Sequence, residues 1–411
     1  MRYFVELFLK LPFLLKTLYF NVRGILLRLL KVTLQKLFGL PYFFLSLLLD
    51  VVKIYVKTLV GSTNRVSLNG VVASMPAHRY SRVMSAPSFK PHPDALRRSV
   101  SRQSGRIYPG NLELQAVFTE AVMAGKSARP SLLALTDSTL PFATERLTGW
   151  QPEWVQSFTG FSKEAGQHAL HSEGAYYLMD FSSLFEASAL LGVPTGGTVL
   201  DLCSAPGGKG IFAYRALSPE LLVANEVIGK RQGMLVSNLQ RCHIERSAVT
   251  RLDPAQIAAA APETFDVVLV DAPCSGQSFI ARGGAAGGAF QTNVVAANMT
   301  RQRRILANAN TALKPGGSLL YMTCTYSREE NEKNVEWLTR RFPELETVAV
   351  PHLEAHRSWL ADFPCYRLMP QDGLGAGGFT CLIRKAGTAK FTDDPLVRLR
   401  PVWEYKKAAI G

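Results

Sequence analysis

Two cysteines, 50 residues apart, each stand directly after a hydrophobic, strand-like segment. Cys274 lies in Val-Leu-Val-Asp271-Ala-Pro-Cys274-Ser-Gly276, and Cys324 lies in Leu-Leu-Tyr-Met-Thr-Cys324-Thr-Tyr-Ser327. An open α/β sheet places its reacting groups at the carboxyl ends of its strands, so the two thiols predict one reaction centre. Because a thiolate is a strong nucleophile near neutral pH, the pattern indicates covalent catalysis.

A third strand-like segment leads into a glycine turn, Val-Leu-Asp201-Leu-Cys203-Ser-Ala-Pro-Gly-Gly-Lys209. Glycines after a strand let the backbone approach a ligand closely, and the next helix presents free N–H groups. The turn has neither the dinucleotide pattern GxGxxG nor the phosphate-binding pattern GxxxxGK[ST], so a less charged nucleoside cofactor is expected. The residues predicted to contact it are Cys203, Ser204, Ala205, Pro206, Gly207, Gly208 and Lys209.

Acidic residues follow the neighbouring strand-like segments. Glu226 stands 25 residues after Asp201, where doubly wound folds place an acid on a ribose diol; an exposed loop acid would fit the sequence equally well. Asp253 would accept a hydrogen bond from an adenine amino group, or else serve as a turn or cap residue before Pro254. Asp271 would stand at the sheet edge, beside the loop that carries the first of the two cysteines.

The elements that must position these residues alternate between strand and helix from about residue 195. Alternation with apolar central strands predicts an α/β fold with a parallel, doubly wound sheet. The predicted strands are Thr198–Leu202, Leu221–Asn225, Ser247–Arg251, Asp266–Val270, Ser318–Thr323 and Gly378–Arg384, and the predicted helices are Gly208–Leu217, Lys230–Arg241, Thr300–Leu313 and Glu329–Arg341. We assign residues 191–390 to this catalytic domain, residues 111–190 to a mainly helical subdomain and residues 391–411 to a C-terminal tail.

The net positive charge of the chain arises from its N-terminal part. Of the 411 residues, the first 110 contain 17 Lys/Arg and three acids, which accounts for the whole net charge of +14. Residues 1–60 predict a basic amphipathic leader, and residues 61–110 predict a flexible basic linker whose arginines could contact phosphate. The longest uncharged run of the leader, Leu37–Leu49, has 13 residues, fewer than the roughly 20 that a spanning helix needs.

Two locations are compatible with this leader. It predicts targeting to a mitochondrion or plastid through the import machinery, or peripheral contact with a membrane surface. A start further along the chain, for example at Met75, would instead give a cytoplasmic protein. An intracellular, reducing compartment is expected in each case, because the six cysteines (203, 242, 274, 324, 365 and 381) contain no CxxC pair that would indicate zinc or a disulfide framework. We expect no metal and a monomer.

The motifs together resemble one enzyme family. Residues 174–384 are similar to the RsmB/Nop/Sun-type RNA 5-methylcytosine methyltransferases, through the 203–209 loop, the Asp271-Ala-Pro-Cys274 motif and the Thr-Cys324-Thr motif. Gly377-Gly-Phe and the segment from Gly174 to Ser183 strengthen the likeness. Two positions depart from the family pattern: Met179 replaces a common Gln, and Thr325 replaces a common Ser.

The resemblance implies a Rossmann-like, S-adenosylmethionine-dependent methyltransferase acting on ribosomal or transfer RNA. Cys324 would attack carbon-6 of cytosine, which makes carbon-5 enamine-like and able to accept a methyl group, and Cys274 would assist product release. Asp271 and Lys209 would contact the base or organise the site. The cofactor pocket would be lined by residues 203–209, Glu226, Asp253 and Asp271.

Two other functions stay open at this point. In DNA cytosine-5 methyltransferases the Pro-Cys motif supplies the nucleophile, so Cys274 would attack; the Thr-Cys324-Thr motif disfavours that assignment. A non-catalytic RNA-binding assembly factor would keep the fold without turnover, but the presence of both cysteines, Lys209 and Asp271 argues against it. The catalytic body is neutral overall, so RNA would have to be held by local patches such as Arg301/Arg303/Arg304 and Lys230/Arg231, or by the linker.

Overall fold

A computed structural model describes residues 92–160, 163–286, 288–388 and 394–405, all within one compact unit, Ala86–Gly411. The predicted leader and the predicted linker up to residue 91 lie outside the described residues. Within the part that is described, no helix is both long enough and apolar enough to cross a membrane.

Helices and strands alternate through most of the described chain. The helices are α1 (Pro93–Ile107), α2 (Leu112–Ala124), α3 (Ala169–Ser172), α4 (Phe181–Ala187), α5 (Gly208–Leu217), α6 (Gly229–Arg241), α7 (Pro254–Ala260), α8 (Ser278–Ala281), α9 (Thr292–Ala312), α10 (Glu332–Arg341) and α11 (Pro395–Leu399). The strands are β1 (Pro130–Ala134), β2 (Thr144–Glu145), β3 (Val155–Phe158), β4 (Tyr176–Asp180), β5 (Thr198–Asp201), β6 (Leu221–Asn225), β7 (Ser247–Thr250), β8 (Phe265–Asp271), β9 (Leu313–Thr323), β10 (Leu345–Thr347), β11 (Tyr366–Leu368), β12 (Gly378–Lys385) and β13 (Trp403–Glu404). Short 3-10 turns lie at Lys163–Gly166, Ser188–Gly192, Pro351–His356 and Pro370–Asp372.

The larger sheet has the predicted doubly wound α/β architecture. Its strand order is β10-β12-β9-β8-β5-β6-β7-β13, with β11 paired to β12. The five strands from β7 to β9 are parallel, whereas β12 and β13 run antiparallel to their neighbours. The chain leaves β5 for β6 and β7 on one side and returns through β8 on the other. Ligands bind at such a switch point, so the crevice outside β5 and β8 is the expected site.

Helices cover both faces of this sheet. On β5, Val199 packs in one apolar cluster with Phe212 of α5, and the adjacent Leu200 packs in a second cluster with Leu306 of α9. Successive strand residues point to opposite faces, so a strand buried on both faces is apolar throughout. Packing on both sides holds the strand ends that carry the site.

The prediction of a mainly helical subdomain over residues 111–190 missed its strands. Besides α2 and shorter helical segments, this region contains a four-stranded antiparallel sheet of order β2-β3-β1-β4. Its strands are short, and adjacent residues such as Leu132 and Leu133 are both fully buried. Short apolar runs without alternation cannot be distinguished from buried helix by periodicity, which explains the error.

The predicted linker and the predicted C-terminal tail also contain regular structure. Within the predicted linker, residues 93–107 form α1, because Leu96, Val100 and Ile107 face the core at helical spacing behind Pro93 in the first turn. Within the predicted C-terminal tail, β13 pairs with β7 and extends the sheet edge, with Trp403 opposite Val249.

Candidate active site

The carboxyl ends of β8 and β9 and the first turn of α5 bring the four predicted catalytic residues together. Cys274 and Cys324 lie with their Sγ atoms 3.1 Å apart. Lys209 reaches across from α5, and its Nζ lies 2.6 Å from Asp271 Oδ1. The structure therefore joins residues up to 115 positions apart in the chain at one edge of the sheet.

The two thiols of this pair differ in their affinity for a proton. The hydrogen bond from Cys274 lowers the pKa of Cys324 to about 7; burial and Asp271 oppose this shift, and Lys209 adds to it. The same hydrogen bond, together with burial, raises the pKa of Cys274 well above its usual range. Cys324 is therefore the more readily ionised thiol, and the expected charge distribution places the thiolate on Cys324 and the proton on Cys274. This charge distribution suits Cys324 as the nucleophile.

The thiol pair gives a first testable prediction. Alkylation of Cys324 by iodoacetamide should rise with pH around a midpoint of about 7, because the thiolate is the reacting form. Substitution C274A removes the donor and should move that midpoint toward the ordinary cysteine value of about 8.5, whereas C274S keeps a donor and should move it less. Mass spectrometry of the peptide containing Cys324 measures the rate. An unchanged midpoint in C274A would contradict the proposed charge distribution.

Sequence reasoning missed Glu186, a second partner of Lys209. Its Oε2 pairs with Lys209 Nζ, and burial raises the pKa of Glu186 to about 8, partly offset by Lys209. Burial alone would lower the pKa of Lys209, but Asp271 and Glu186 outweigh it and raise that pKa. Gly378 makes room for the acid, since a Cβ there would lie 1.7 Å from Glu186 Oε1. The single charged residue within the short helix α4 was the signal available in the sequence.

A single buried carboxylate ties the two cysteine loops together. Glu330 accepts hydrogen bonds from the Ser275 amide at 2.9 Å and from Ser275 Oγ at 2.5 Å. Ser275 Oγ also lies 2.9 Å from Thr325 Oγ1. Gln302 donates to Glu330 and to the carbonyl of Pro273, at 2.9 and 3.0 Å. The residue that follows each cysteine is thus fixed by the same network, which limits movement of the two sulfur atoms.

The 203–209 loop at the switch point fits a nucleoside cofactor. Gly207 has φ +112°, a left-handed conformation that favours glycine, and α5 begins at the next residue with free N–H groups. Asp201 is fully buried, which raises its pKa to about 7, and its Oδ2 has no hydrogen-bond partner. Gly210 leaves space beside that oxygen, because a Cβ there would approach it to 3.0 Å. An acceptor without a partner beside a glycine turn is the arrangement that a polar ligand would complete.

Glu226 and Asp253, two of the three acids predicted to line the cofactor pocket, have protein partners. Glu226 accepts from the Ile228 amide at 2.8 Å and pairs with Arg231 at 3.1 Å. Asp253 caps α7 in a capping box and pairs with Arg304 at 3.3 Å. The cap alternative for Asp253 therefore matches the structure, and cofactor contacts of either acid stay a prediction.

Residues 188–383 match the family of 16S rRNA methyltransferases RsmB/F, and this match includes both site cysteines, Lys209 and Asp271. Over this segment, which is slightly less than half of the chain, the protein resembles the RsmB/F methyltransferases. Ribosomal RNA small subunit methyltransferase F of Pectobacterium atrosepticum is 33% identical over 254 residues, which are 58% of this chain and 52% of that protein. The protein of the same name from Escherichia coli O127:H6 is 34% identical over 193 residues, which are 46% of this chain and 40% of that protein. The chain thus spans about half the length of the curated RsmB/F relatives it matches.

Solved structures share the fold of this RsmB/F domain. A methyltransferase homologue from Pyrococcus horikoshii superposes with a TM-score of 0.59 at 23% identity, over 73% of this chain and 100% of that one. NSun6 from the same organism superposes with a TM-score of 0.60 at 14% identity, over 71% of this chain and 98% of that one. These likenesses confirm the predicted Rossmann-like methyltransferase sheet.

Proposed function

We propose that this protein methylates carbon-5 of cytosine in RNA, through a covalent bond between Cys324 and carbon-6 of the base. The observation that carries the proposal is the 3.1 Å thiol pair, in which Cys324 is the thiol with the lowered pKa. The likeness of residues 188–383 to the RsmB/F methyltransferases supports RNA as the substrate class. The matched relatives are small-subunit ribosomal RNA methyltransferases. Small-subunit ribosomal RNA is therefore the first candidate substrate, and transfer RNA is the second.

The cofactor of this reaction is S-adenosylmethionine, which supplies the methyl group in electrophilic form. The 203–209 loop and the free Asp201 Oδ2 would hold it at the switch point. Glu226 would reach a ribose hydroxyl only by sharing its carboxylate with Arg231. Lys209 is buried against Asp271 beside this loop and would keep that carboxylate oriented toward the base.

Carbon-5 of cytosine is a poor nucleophile, which is why the reaction needs a thiolate. When Cys324 adds to carbon-6, a sulfur–carbon bond forms and the electron pair of the ring double bond becomes available at carbon-5. The attacked carbon of cytosine is inaccessible within an RNA duplex. The target cytosine would therefore leave its RNA helix to enter the site, which the family likeness supports. The network around Glu330 would hold both sulfur atoms while the base is bound.

Release of the methylated base from Cys324 depends on the effect that each thiol has on the pKa of the other. Once Cys324 is a thioether it no longer carries the charge that raises the pKa of Cys274. Cys274 can then lose its own proton to solvent and remove the proton from carbon-5. The electron pair of that C–H bond restores the ring double bond, and the bond between carbon-6 and sulfur breaks. The methyl group then stands at carbon-5 in place of that proton, its donor is left as a neutral thioether, and one proton has passed to solvent. Cys324 regains its thiolate, so atoms and charge balance over the cycle.

The two other functions are less well supported. A DNA-type mechanism would need Cys274 as the nucleophile, but its raised pKa keeps it protonated. An assembly factor without turnover would not need a buried lysine between two carboxylates beside a thiolate. For residues 1–60 we retain organellar targeting or membrane contact as proposals that expression of the chain with and without them would test.

Bisulfite sequencing of cellular RNA tests the proposed function. Cells lacking the protein should lose one or a few protected cytosines, and expression of the wild-type chain should restore them. Expression of C324A should not restore them. An identical pattern of protected cytosines with and without the protein would refute RNA cytosine-5 methylation.

A further inference from the structure

Arg282 lies beside the active site and is a half-buried cation without a partner. Its Nε is buried and has no hydrogen-bond partner, and no carboxylate of the described residues forms an ion pair with it. It is close enough to Cys324 to help lower the pKa of that thiol, after the larger effects of the hydrogen bond from Cys274, burial and the charges of Asp271 and Lys209. The reaction described above does not use it.

The backbone around Arg282 is fixed to the nucleophile loop. The Ser278 amide donates to the Cys324 carbonyl at 3.2 Å, and the Tyr326 amide donates to Gln277 Oε1 at 3.1 Å. Arg282 follows one helical turn after Ser278 and donates its amide to the Ser278 carbonyl at 3.3 Å. Its position relative to the reacting sulfur is therefore set by short bonds at the start of α8.

The opposite end of α8 is fixed as well. The Ala281 carbonyl accepts from the Ser127 amide at 2.8 Å, and Gly283 packs against Gly125 so closely that a Cβ on Gly125 would lie 3.1 Å from it. The arginine thus stands on a rigid turn. A cation held in place at an energetic cost, without a counter-ion, indicates a missing anion.

Arg129 and Arg328 also have a buried Nε without a partner, but each pairs with a carboxylate through another nitrogen. Lys209 has two carboxylate partners, and Arg367 forms a bidentate pair with Glu332 at 2.6 Å for both bonds. Arg282 is the exception at the site where the RNA must enter. A guanidinium is suited to a phosphate group, since its N–H donors match two phosphate oxygens.

We propose that Arg282 binds the phosphodiester adjoining the cytosine that enters the site. This inference rests on the proposed function for the presence of RNA, but it adds a residue and a ligand group that the reaction itself does not require. Binding of that phosphate would fix the sugar of the flipped nucleotide while Cys324 reaches carbon-6. It would also supply phosphate affinity at a point where the neutral catalytic body offers little.

Equilibrium binding of RNA by the full-length protein tests the proposal. The probe is an unmodified small-subunit ribosomal RNA transcript, titrated at several salt concentrations with wild type, R282M and R282K. R282M should weaken binding by about tenfold and reduce the slope of log affinity against log salt by about 0.7 to 0.9. R282K should keep most of the slope, because it keeps the charge. The control is R384M, since Arg384 is exposed at the opposite edge of the sheet and pairs in register with Ser318.

Methyl transfer and thiol alkylation separate the possible failures. If wild type binds the transcript but methylates no RNA, the proposed function fails while the binding comparison still decides the role of Arg282. If R282M binds with unchanged affinity and unchanged salt slope, the proposal is overturned, even where turnover falls. A shift of the alkylation midpoint of Cys324 in R282M without any change in binding would assign Arg282 to the thiol instead. Thermal melting of each variant confirms that it is folded before binding is compared.

Discussion

C274A is expected to capture its RNA substrate as a covalent adduct, whereas C324A is expected to form no adduct at all. In C274A the nucleophile can still add to carbon-6, but the base that would remove the carbon-5 proton is missing. Loss of a general base costs about 10² to 10⁴ in rate, so the adduct should outlive the assay. Denaturing gel electrophoresis of labelled RNA with each variant measures the adduct directly.

Two controls sharpen that comparison. C242A alters a buried cysteine in the apolar cluster on one face of the sheet and should leave both turnover and adduct level unchanged. C274A with C324A combined should behave as C324A alone, since no adduct can form without the nucleophile. An adduct in C324A and none in C274A would reverse the two roles and favour the DNA-type mechanism.

Most site residues that sequence could predict lie at or just after strand ends, and Lys209 lies in the first turn of α5. Asp201, Asp271 and Cys324 each follow an apolar run, and parallel strands bring their carboxyl ends to one edge of a sheet. That rule requires no knowledge of side-chain contacts. It therefore predicted the doubly wound architecture and the meeting of two thiols across 50 residues.

The parts that sequence could not predict depend on contacts between distant elements. Glu186 reaches Lys209 from α4, outside the parallel strands, and only Gly378 on β12 leaves it room. Glu330 was assigned to a helix, yet its role is to hold Ser275 and Thr325 on two other loops. Such roles follow from three-dimensional packing, on which strand periodicity carries no information.

Helix and strand ends show the same limit on a smaller scale. β9 was predicted from Ser318, but pairing extends back to Leu313 through a register shift in its neighbour β8. α9 begins at Thr292, eight residues before the predicted start. Both differences arise because contacts in the folded protein extend the strand and the helix into segments whose own residues have a low intrinsic propensity for that structure.

K209M is expected to destabilise the protein more than a surface lysine substitution could. It leaves Glu186, of which 1% is exposed, without its cation, and removing one partner of a buried pair costs about 3 to 5 kcal/mol of unfolding free energy. Methyl transfer should also be lost, because Asp271 is no longer held. Chemical denaturation measures the first effect. K333M is the control, since Lys333 and Glu329 form an exposed pair at 3.9 Å that is worth about 0 to 1 kcal/mol.

The pH dependence of that loss has a definite sign. Burial already raises the pKa of Glu186 to about 8, and removing Lys209 raises it further, so the folded K209M protein holds a proton that the unfolded chain releases near pH 4.5. Relative to wild type, its stability should therefore fall as pH increases above about 8, where folded wild type has released the Glu186 proton and folded K209M still holds it. E186Q combined with K209M removes the buried charge, and should recover most of the stability and none of the methyl transfer. A deficit in K209M that is independent of pH and persists in the double variant would show that Lys209 acts through its packing and not through its charge.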